Sequence, residues 1–524
     1  MQDDAREYVF WMQRFVNPDL FAHDLIADYF QSITPIGYAS TYRIVASLGF
    51  PPLYFSKILP IILGLIITAY CFGLCLQLFP VPVAGFFSTL LLNQSLWFKD
   101  DLVSATPRAF IYPLFLAFLY YLLRRSWVAV CLTVVLQGLF YPPLLFLSVS
   151  VLCLRLVRWQ RWWPRLTRKR GLYVLLVVGV GFLSVLPFIM ASAEFGPVVT
   201  AVEAKTMPEF WPGGRHPFFD PNAWKFWFIG EHSGILPPLL PPLIWIGLFL
   251  PFVQGNLARF PLAFKLRDSI IVPQLLAVAL SLFFAAHALL LKLFFPTRYT
   301  VHTLRIVMAL AAGMTIVIFL DAILSMCVFM AQSHQVGRLL WILSTTVAIG
   351  IALILYPHIS KAFPATNYRL SNENLFYEFL QKQPQESLIS TLSDEANNIP
   401  TFAQRPVLIG KEYALPFHLG YYQQIRQRSS ELIYAQYSPD LTPSQQLIQK
   451  YGVDFWLLDR TAFTANYLDS KSWLRSFQSA FQESNSNLKQ GTTPALETVS
   501  KRCSVFESES LVLLDARCIL KIKP

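Results

Sequence analysis

Charge is what this chain has least of: Asp, Glu, Lys and Arg together make up 14% of its 524 residues, against 55% hydrophobic residues. A soluble domain cannot cover its surface with so few charges, and a mean hydropathy of +0.47 places the chain among polytopic membrane proteins. Acids are scarcer than bases, 31 against 42, for a net charge of +11. Membrane topology accounts for most of that excess, and it gives no reason to invoke nucleic acid. Cysteine is rare as well. Of seven, Cys71, Cys75, Cys131, Cys153 and Cys327 fall in apolar stretches and read as small packing residues. The polar C-terminal part lacks a GxGxxG loop, a Walker loop and any His/Cys metal-ligand spacing, so nothing in it argues for a nucleotide site.

Long apolar runs are what the chain has instead. A helix needs about 20 apolar residues to cross the hydrocarbon core, and such runs recur from Leu53 almost to Pro357. About ten spans are predicted, at 53–79, 83–98, 107–123, 127–141, 143–157, 172–190, 237–253, 269–293, 304–330 and 339–357. The fourth and fifth are short and meet at Tyr141-Pro142-Pro143, which also suits a re-entrant hairpin. Basic residues concentrate in cytoplasmic loops. With residues 1–52 outside, the inner loops hold Arg124, Arg125, Arg155, Arg158, Arg161, Arg165, Arg168, Lys169, Arg170, Arg259, Lys265, Arg267 and Arg338 against a single acid, Asp268. The outer loops hold Lys99, Lys205, Arg215, Lys225 and Arg298 against Asp100, Asp101, Glu194, Glu203, Glu209, Asp220 and Glu231. This asymmetry predicts that the amino terminus and everything after His358 are extracytoplasmic. An amino terminus on that side needs a leading crossing helix or signal, so a first helix is expected upstream of Met1.

After His358 a polar segment of short alternating elements is expected to form a small extracytoplasmic α/β domain, 358–524, behind the membrane domain, 1–357. Strands are predicted at 387–392, 405–410 and 453–458, and helices at 416–437 and 472–482. Another helix starts at Thr442-Pro443 with a capping hydroxyl and stops at Gly452. A terminal hairpin follows from Cys503 to Ile522. Cys503 and Cys518 lie where a disulfide persists, and a bridge between them is expected.

Two acidic pairs stand out, Asp3-Asp4 in MQDDAREYVF and Asp100-Asp101 in LWFKDDLVSATPR. Ionisable groups at a membrane surface are costly and tend to mark function, so the pairs suggest catalysis on a lipid-borne substrate. The competing reading is that Asp3-Asp4 caps a helix and Asp100-Asp101 ends one in water. One carboxylate of Asp3 or Asp4 suits a general base whose pKa its neighbour raises. Arg298, after the helix-breaking Pro296, suits a phosphate grip, with Tyr299 and His302 beside it and Arg108 as a second cation. Interfacial anchoring is the competing reading for all four. The aromatic loop Glu194–Glu231 suits the membrane interface, where His216, Asp220 and His232 read as solvated residues. The apolar faces of the first loop (Val9, Phe10, Phe15, Leu20, Phe21, Leu25, Ile26) are expected to lie along the membrane.

The acidic pair followed by Ala5 and Tyr8, the second outward pair, the basic inner loops and the α/β tail resemble the GT-C superfamily of integral-membrane glycosyltransferases, which includes protein mannosyltransferases, aminoarabinose transferases and oligosaccharyltransferases. The resemblance implies a multi-pass plasma-membrane enzyme that moves a sugar from a polyprenyl-phosphate-linked donor to an acceptor at the extracytoplasmic face. Membrane lipids and the lipid-phosphate donor are the implied partners. If a divalent cation (Mg or Mn) serves, Asp4, Asp100 and Asp101 are the residues to hold it. The rival readings are a transporter or flippase of lipid-linked intermediates, against which the absence of an inverted internal repeat counts, and a non-catalytic membrane scaffold.

Overall fold

A computed structural model describes residues 1–156, 158–160, 163–165, 168–332, 336–361 and 363–522. Arg161 of the basic inner loop lies outside them, as do the side chains of Arg158, Arg165, Arg168, Lys169, Arg170 and Arg338. Helices occupy every apolar stretch predicted to be a span: Pro52–Leu78, Pro82–Trp97, Pro107–Leu123, Trp127–Phe140, Pro142–Leu156, Arg168–Ser192, Pro242–Gly255, Ile271–Ala288, Thr297–Gln332 and Val336–Ile359. Among the described residues five helices are long and apolar enough to cross a membrane: Pro52–Leu78, Gly171–Phe195, Ile271–Ala288, Thr297–Cys327 and Leu340–Ile359. The chain is a multi-pass membrane protein.

Thr297–Cys327 is the axis of the bundle, with 72% of its apolar window buried against 17% for Gly171–Phe195 and 12% for Leu340–Ile359. It packs on Pro82–Trp97 at a glycine. A Cβ on Gly313 would stand 2.4 Å from the Ser88 amide nitrogen, so only glycine lets the two backbones approach this closely. The two ends of the bundle differ in chemistry. At one end the Arg267 amide donates to the Leu78 carbonyl at 2.7 Å and Arg155 pairs with Asp268 at 3.6 Å. At the other end the residues of both acidic pairs come together with basic side chains.

The first loop departs from expectation. Val9, Phe10, Leu20, Phe21 and Ile26 are buried inside the protein, and the C-terminal segment is part of what covers this loop. Phe10 meets Tyr413 at 5.4 Å, and Tyr29 stacks on Tyr421 at 3.6 Å while its hydroxyl bonds His418 Nδ1 at 3.0 Å. Backbone bonds tie the same layers, Asp3 N to Asn367 O at 3.1 Å and Arg369 N to Met1 O at 2.7 Å. An amphipathic face needs only an apolar partner, and here protein supplies it.

The C-terminal sheet has the order Leu388–Thr391, Val453–Asp459, Leu511–Asp515, Ser504–Glu507, the first pair parallel and the others antiparallel. The segment expected as a strand at 405–410 contributes a single bridge, Val407 to Ile389. Helix Thr442–Tyr451 ends at Gly452 in the left-handed conformation, φ 69°, as predicted. Its start is different: Asp440 accepts from both the amide and the hydroxyl of Thr442, so the carboxylate organises the turn. The expected helix at 472–482 is two pieces, a 3-10 turn Ser472–Ser476 and a helix Gln478–Lys489.

Cys503 and Cys518 form a disulfide across a separation of 15 residues, joining the helices on either side of the terminal hairpin. Closing a loop of that length stabilises by about 3 kcal/mol. The Cys503→Ser, Cys518→Ser variant is expected to unfold at lower chaotrope concentration, measured by the fluorescence of buried Trp456. An unchanged midpoint would mean that the reduced chain retains the same constraint.

Candidate functional site

The site is built on three element ends. Helix Asp3–Val9 starts with the Gln2 side chain accepting from Ala5 N at 2.8 Å, which sets Asp3 and Asp4 in its first turn, where carboxylates suit the helix dipole. Arg108 sits in the 3-10 turn Pro107–Phe110, entered through extended Thr106. Asp101 lies in the tight connection after Pro82–Trp97, where its carbonyl accepts from Ser104 Oγ at 2.9 Å. The central helix Thr297–Gln332 adds Arg298, His302 and Arg305 from one face, since spacings of four and three residues share a helical side.

Arg108 reaches one member of each pair. One guanidinium nitrogen forms an ion pair with Asp4 Oδ2, and the other stands 3.7 Å from Asp101 Oδ1. Buried Arg305 takes the second oxygen of Asp101 at 2.8 Å and also donates to the Tyr112 hydroxyl at 2.9 Å. The same hydroxyl is hydrogen-bonded to His302 Nδ1, 2.9 Å away. A cleft beside this network is lined by Lys99, Asp101, Arg108, Glu231, His232, Thr297, Arg298, Val301 and His302.

The electrostatics separate the two carboxylates. Burial raises the Asp4 pKa against the pull of Arg108, and Asp100, Asp101 and Asp3 add to the rise. Asp101 is buried too, but Lys99, Arg305, His302 and Arg108 outweigh burial and hold it below the ordinary carboxylate range. Such a divergence gives one carboxylate able to exchange a proton and one fixed as an anion. Lys99 is attracted by Asp101, yet burial with Arg305, Arg108 and Arg298 lowers it. Burial, with Arg298, Arg108, Lys99 and Arg215, pushes His232 down to about 3, so its imidazole is neutral.

The other predicted residues go elsewhere. Asp3 pairs with Arg6 at 2.5 Å and with Arg369 at 2.9 Å. Asp100 accepts from Asn367 Nδ2 at 2.8 Å. Tyr299 is buried with its hydroxyl donated to the Leu293 carbonyl at 2.8 Å. His216 and His232 are half-buried, His232 stacked on Phe295 at 4.5 Å and His216 packed on Phe417 at 4.8 Å. Asp220 pairs with Lys225 at 2.8 Å.

No family model and no curated protein matches the sequence. Solved structures do match. Archaeal oligosaccharyltransferase AglB from Archaeoglobus fulgidus, in complex with an inhibitory peptide and a dolichol-phosphate, aligns with a TM-score of 0.56 at 11% identity over 91% of this chain and 68% of that one. The Archaeoglobus fulgidus oligosaccharyltransferase tethered to an acceptor peptide containing the NVT sequon gives 0.55 at 12% over 92% and 68%. Its complex with Zn and sulfate gives 0.52 at 13% over 91% and 66%. The chain has the GT-C membrane fold. It spans about two thirds of the length of these relatives.

Within the GT-C fold, the chemistry has to be argued from the site itself. Among the described residues no group of three or more His, Cys, Asp or Glu is placed to hold a metal ion. The carboxylates offered for that purpose do not converge as a ligand set: Arg108 stands between Asp4 and Asp101, and Asp100 is engaged by Asn367. Lys99, Glu231 and Arg305 were not singled out as site residues from sequence, and His232 was read as a solvated loop residue. Arg305 carried a signal, its heptad spacing from Arg298. Lys99 adjoined the second pair, whereas Glu231 carried no local signal.

Proposed function

We propose that the chain is a GT-C glycosyltransferase that moves a sugar from a polyprenyl-phosphate-linked donor to an acceptor hydroxyl. The observation that carries the reading is Asp4, with its raised pKa, held by Arg108 at a cleft also lined by Lys99 and Arg298. Asp4 takes the proton of the acceptor hydroxyl as its oxygen bonds the anomeric carbon. The bond from that carbon to the phosphate oxygen breaks, and the lipid phosphate leaves with the electron pair. This single displacement inverts the anomeric centre. Arg298 and Arg108 offer charged donors for the phosphate.

The proposed topology puts residues 1–52 and the α/β domain 358–524 on the extracytoplasmic side of the plasma membrane, with residues 1–357 as the transmembrane domain. Its supports are the basic inner loops, the pairing of Arg155 with Asp268 at the end opposite the acidic pairs, and the disulfide. The neighbour bound to dolichol-phosphate supports a lipid-phosphate carrier. A divalent cation, Mg or Mn, has no step here.

Arg298→Ala tests the phosphate grip. Hydrogen bonds to charged groups contribute about 1.5–3 kcal/mol, so KM for the lipid donor should rise roughly 10–100-fold. Tyr299→Phe should leave KM unchanged, since the Tyr299 hydroxyl is spent on the Leu293 carbonyl. Equal effects from the two changes would refute the assignment.

A further inference from the structure

We infer that Arg108 is the resident counter-cation of the two acidic pairs, doing the work a divalent ion would do, and that it passes its charge from Asp4 to the leaving phosphate as the sugar is transferred. The inference rests on the proposed transferase reading. Three observations carry it. The guanidinium contacts Asp4 Oδ2 and reaches Asp101 Oδ1 at 3.7 Å, so it lies between the carboxylates a shared metal would need. Arg305 occupies Asp101 Oδ2 at 2.8 Å, which leaves Asp101 no oxygen without a guanidinium within 4 Å. Hard divalent ions need several oxygen ligands at about 2.0–2.6 Å, and two fixed guanidinium charges at the same carboxylate oppose their entry. Finally, Arg108 itself lines the cleft with Arg298, on the side where a phosphate would lie.

The sequence of events follows from charge. At rest Asp4 is an anion and Arg108 is its partner. When Asp4 takes the acceptor proton it becomes neutral, and the guanidinium, which stays protonated throughout, loses its partner. At the same moment the broken glycosidic bond adds negative charge to the phosphate oxygen, which becomes the better acceptor for Arg108. Proton transfer and leaving-group stabilisation are thereby coupled through one side chain, a preorganised cation aimed at developing charge.

The test is manganese binding by the full-length protein in detergent, read as loss of the free Mn²⁺ electron paramagnetic resonance signal, beside transfer assays in excess EDTA. Wild type is expected to bind no stoichiometric Mn²⁺ and to keep its transfer rate in EDTA. Stoichiometric Mn²⁺ binding that disappears in Asp4→Asn or Asp101→Asn would overturn the inference, as would transfer abolished by EDTA and restored by Mn²⁺. Arg108→Ala should lose at least tenfold in transfer rate and regain part of it with added guanidinium ion; rescue by Mg²⁺ or Mn²⁺ and not by guanidinium would count against the role. If no donor supports transfer, the functional reading fails, and the Mn²⁺ titration still decides whether Arg108 closes the site to metal.

Discussion

Asp4→Asn is expected to lower kcat for sugar transfer by about 10²–10⁴-fold, the usual contribution of a positioned general base. Asparagine keeps the shape and still accepts from Arg108, so insertion and donor binding should persist while proton transfer is lost. The pH profile gives a sharper signature. Burial raises the Asp4 pKa, and a base works only when deprotonated. Transfer should therefore fall as pH drops through a value above the ordinary carboxylate range, with a slope of one proton. In Asp4→Asn the residual rate should lack that limb. A limb that survives the substitution would assign it to another group, and Asp4 would not be the base.

The second large effect is on stability. Arg305→Met removes the nearest guanidinium from the Asp101 carboxylate, which is 2% exposed. Removing one partner of a buried ion pair costs about 3–5 kcal/mol, so the variant should lose that much resistance to denaturation in detergent. Adding Asp101→Asn should recover a substantial part, because no buried charge is then orphaned. The pH dependence has a definite sign. Asp101 has a depressed pKa in the folded protein, so its contribution is fully present above the unfolded value near pH 4 and is lost as pH falls through the depressed one. Additive effects of the two substitutions would show that Arg305 and Asp101 act independently.

Hydropathy made the membrane architecture legible, because a bilayer admits only backbone that satisfies itself and helices do so within a single apolar run. Every such run is a helix. The tail was readable where local chemistry decides, as at Gly452 and in the strand Val453–Asp459. It was not readable at residues 405–410, whose pairing depends on a partner strand that offers only one bridge. Nor could the sequence reveal what the first loop packs against, since Tyr413 and Tyr421 lie at the far end of the chain.

The site was half legible for a geometric reason. Adjacent residues on a helix point about 100° apart, so the two members of Asp3-Asp4 cannot share one partner. Asp4 meets Arg108 while Asp3 faces Arg6 and Arg369. The second pair splits likewise, Asp101 inward to Arg305 and Asp100 to Asn367. Acidic pairs announce a site, but the choice within each pair belongs to the fold. Arg298, His302 and Arg305 show the opposite case, in which helical spacing alone aligns three residues on one face.

The most direct test is transfer of radiolabelled sugar from a polyprenyl-phosphate donor pool in membranes carrying the full-length protein, with Asp4→Asn beside it at equal insertion. Label should move to an acceptor in the wild type and be lost in the variant. No transfer by correctly inserted wild-type protein from any polyprenyl-phosphate donor, or equal transfer by Asp4→Asn, would contradict it.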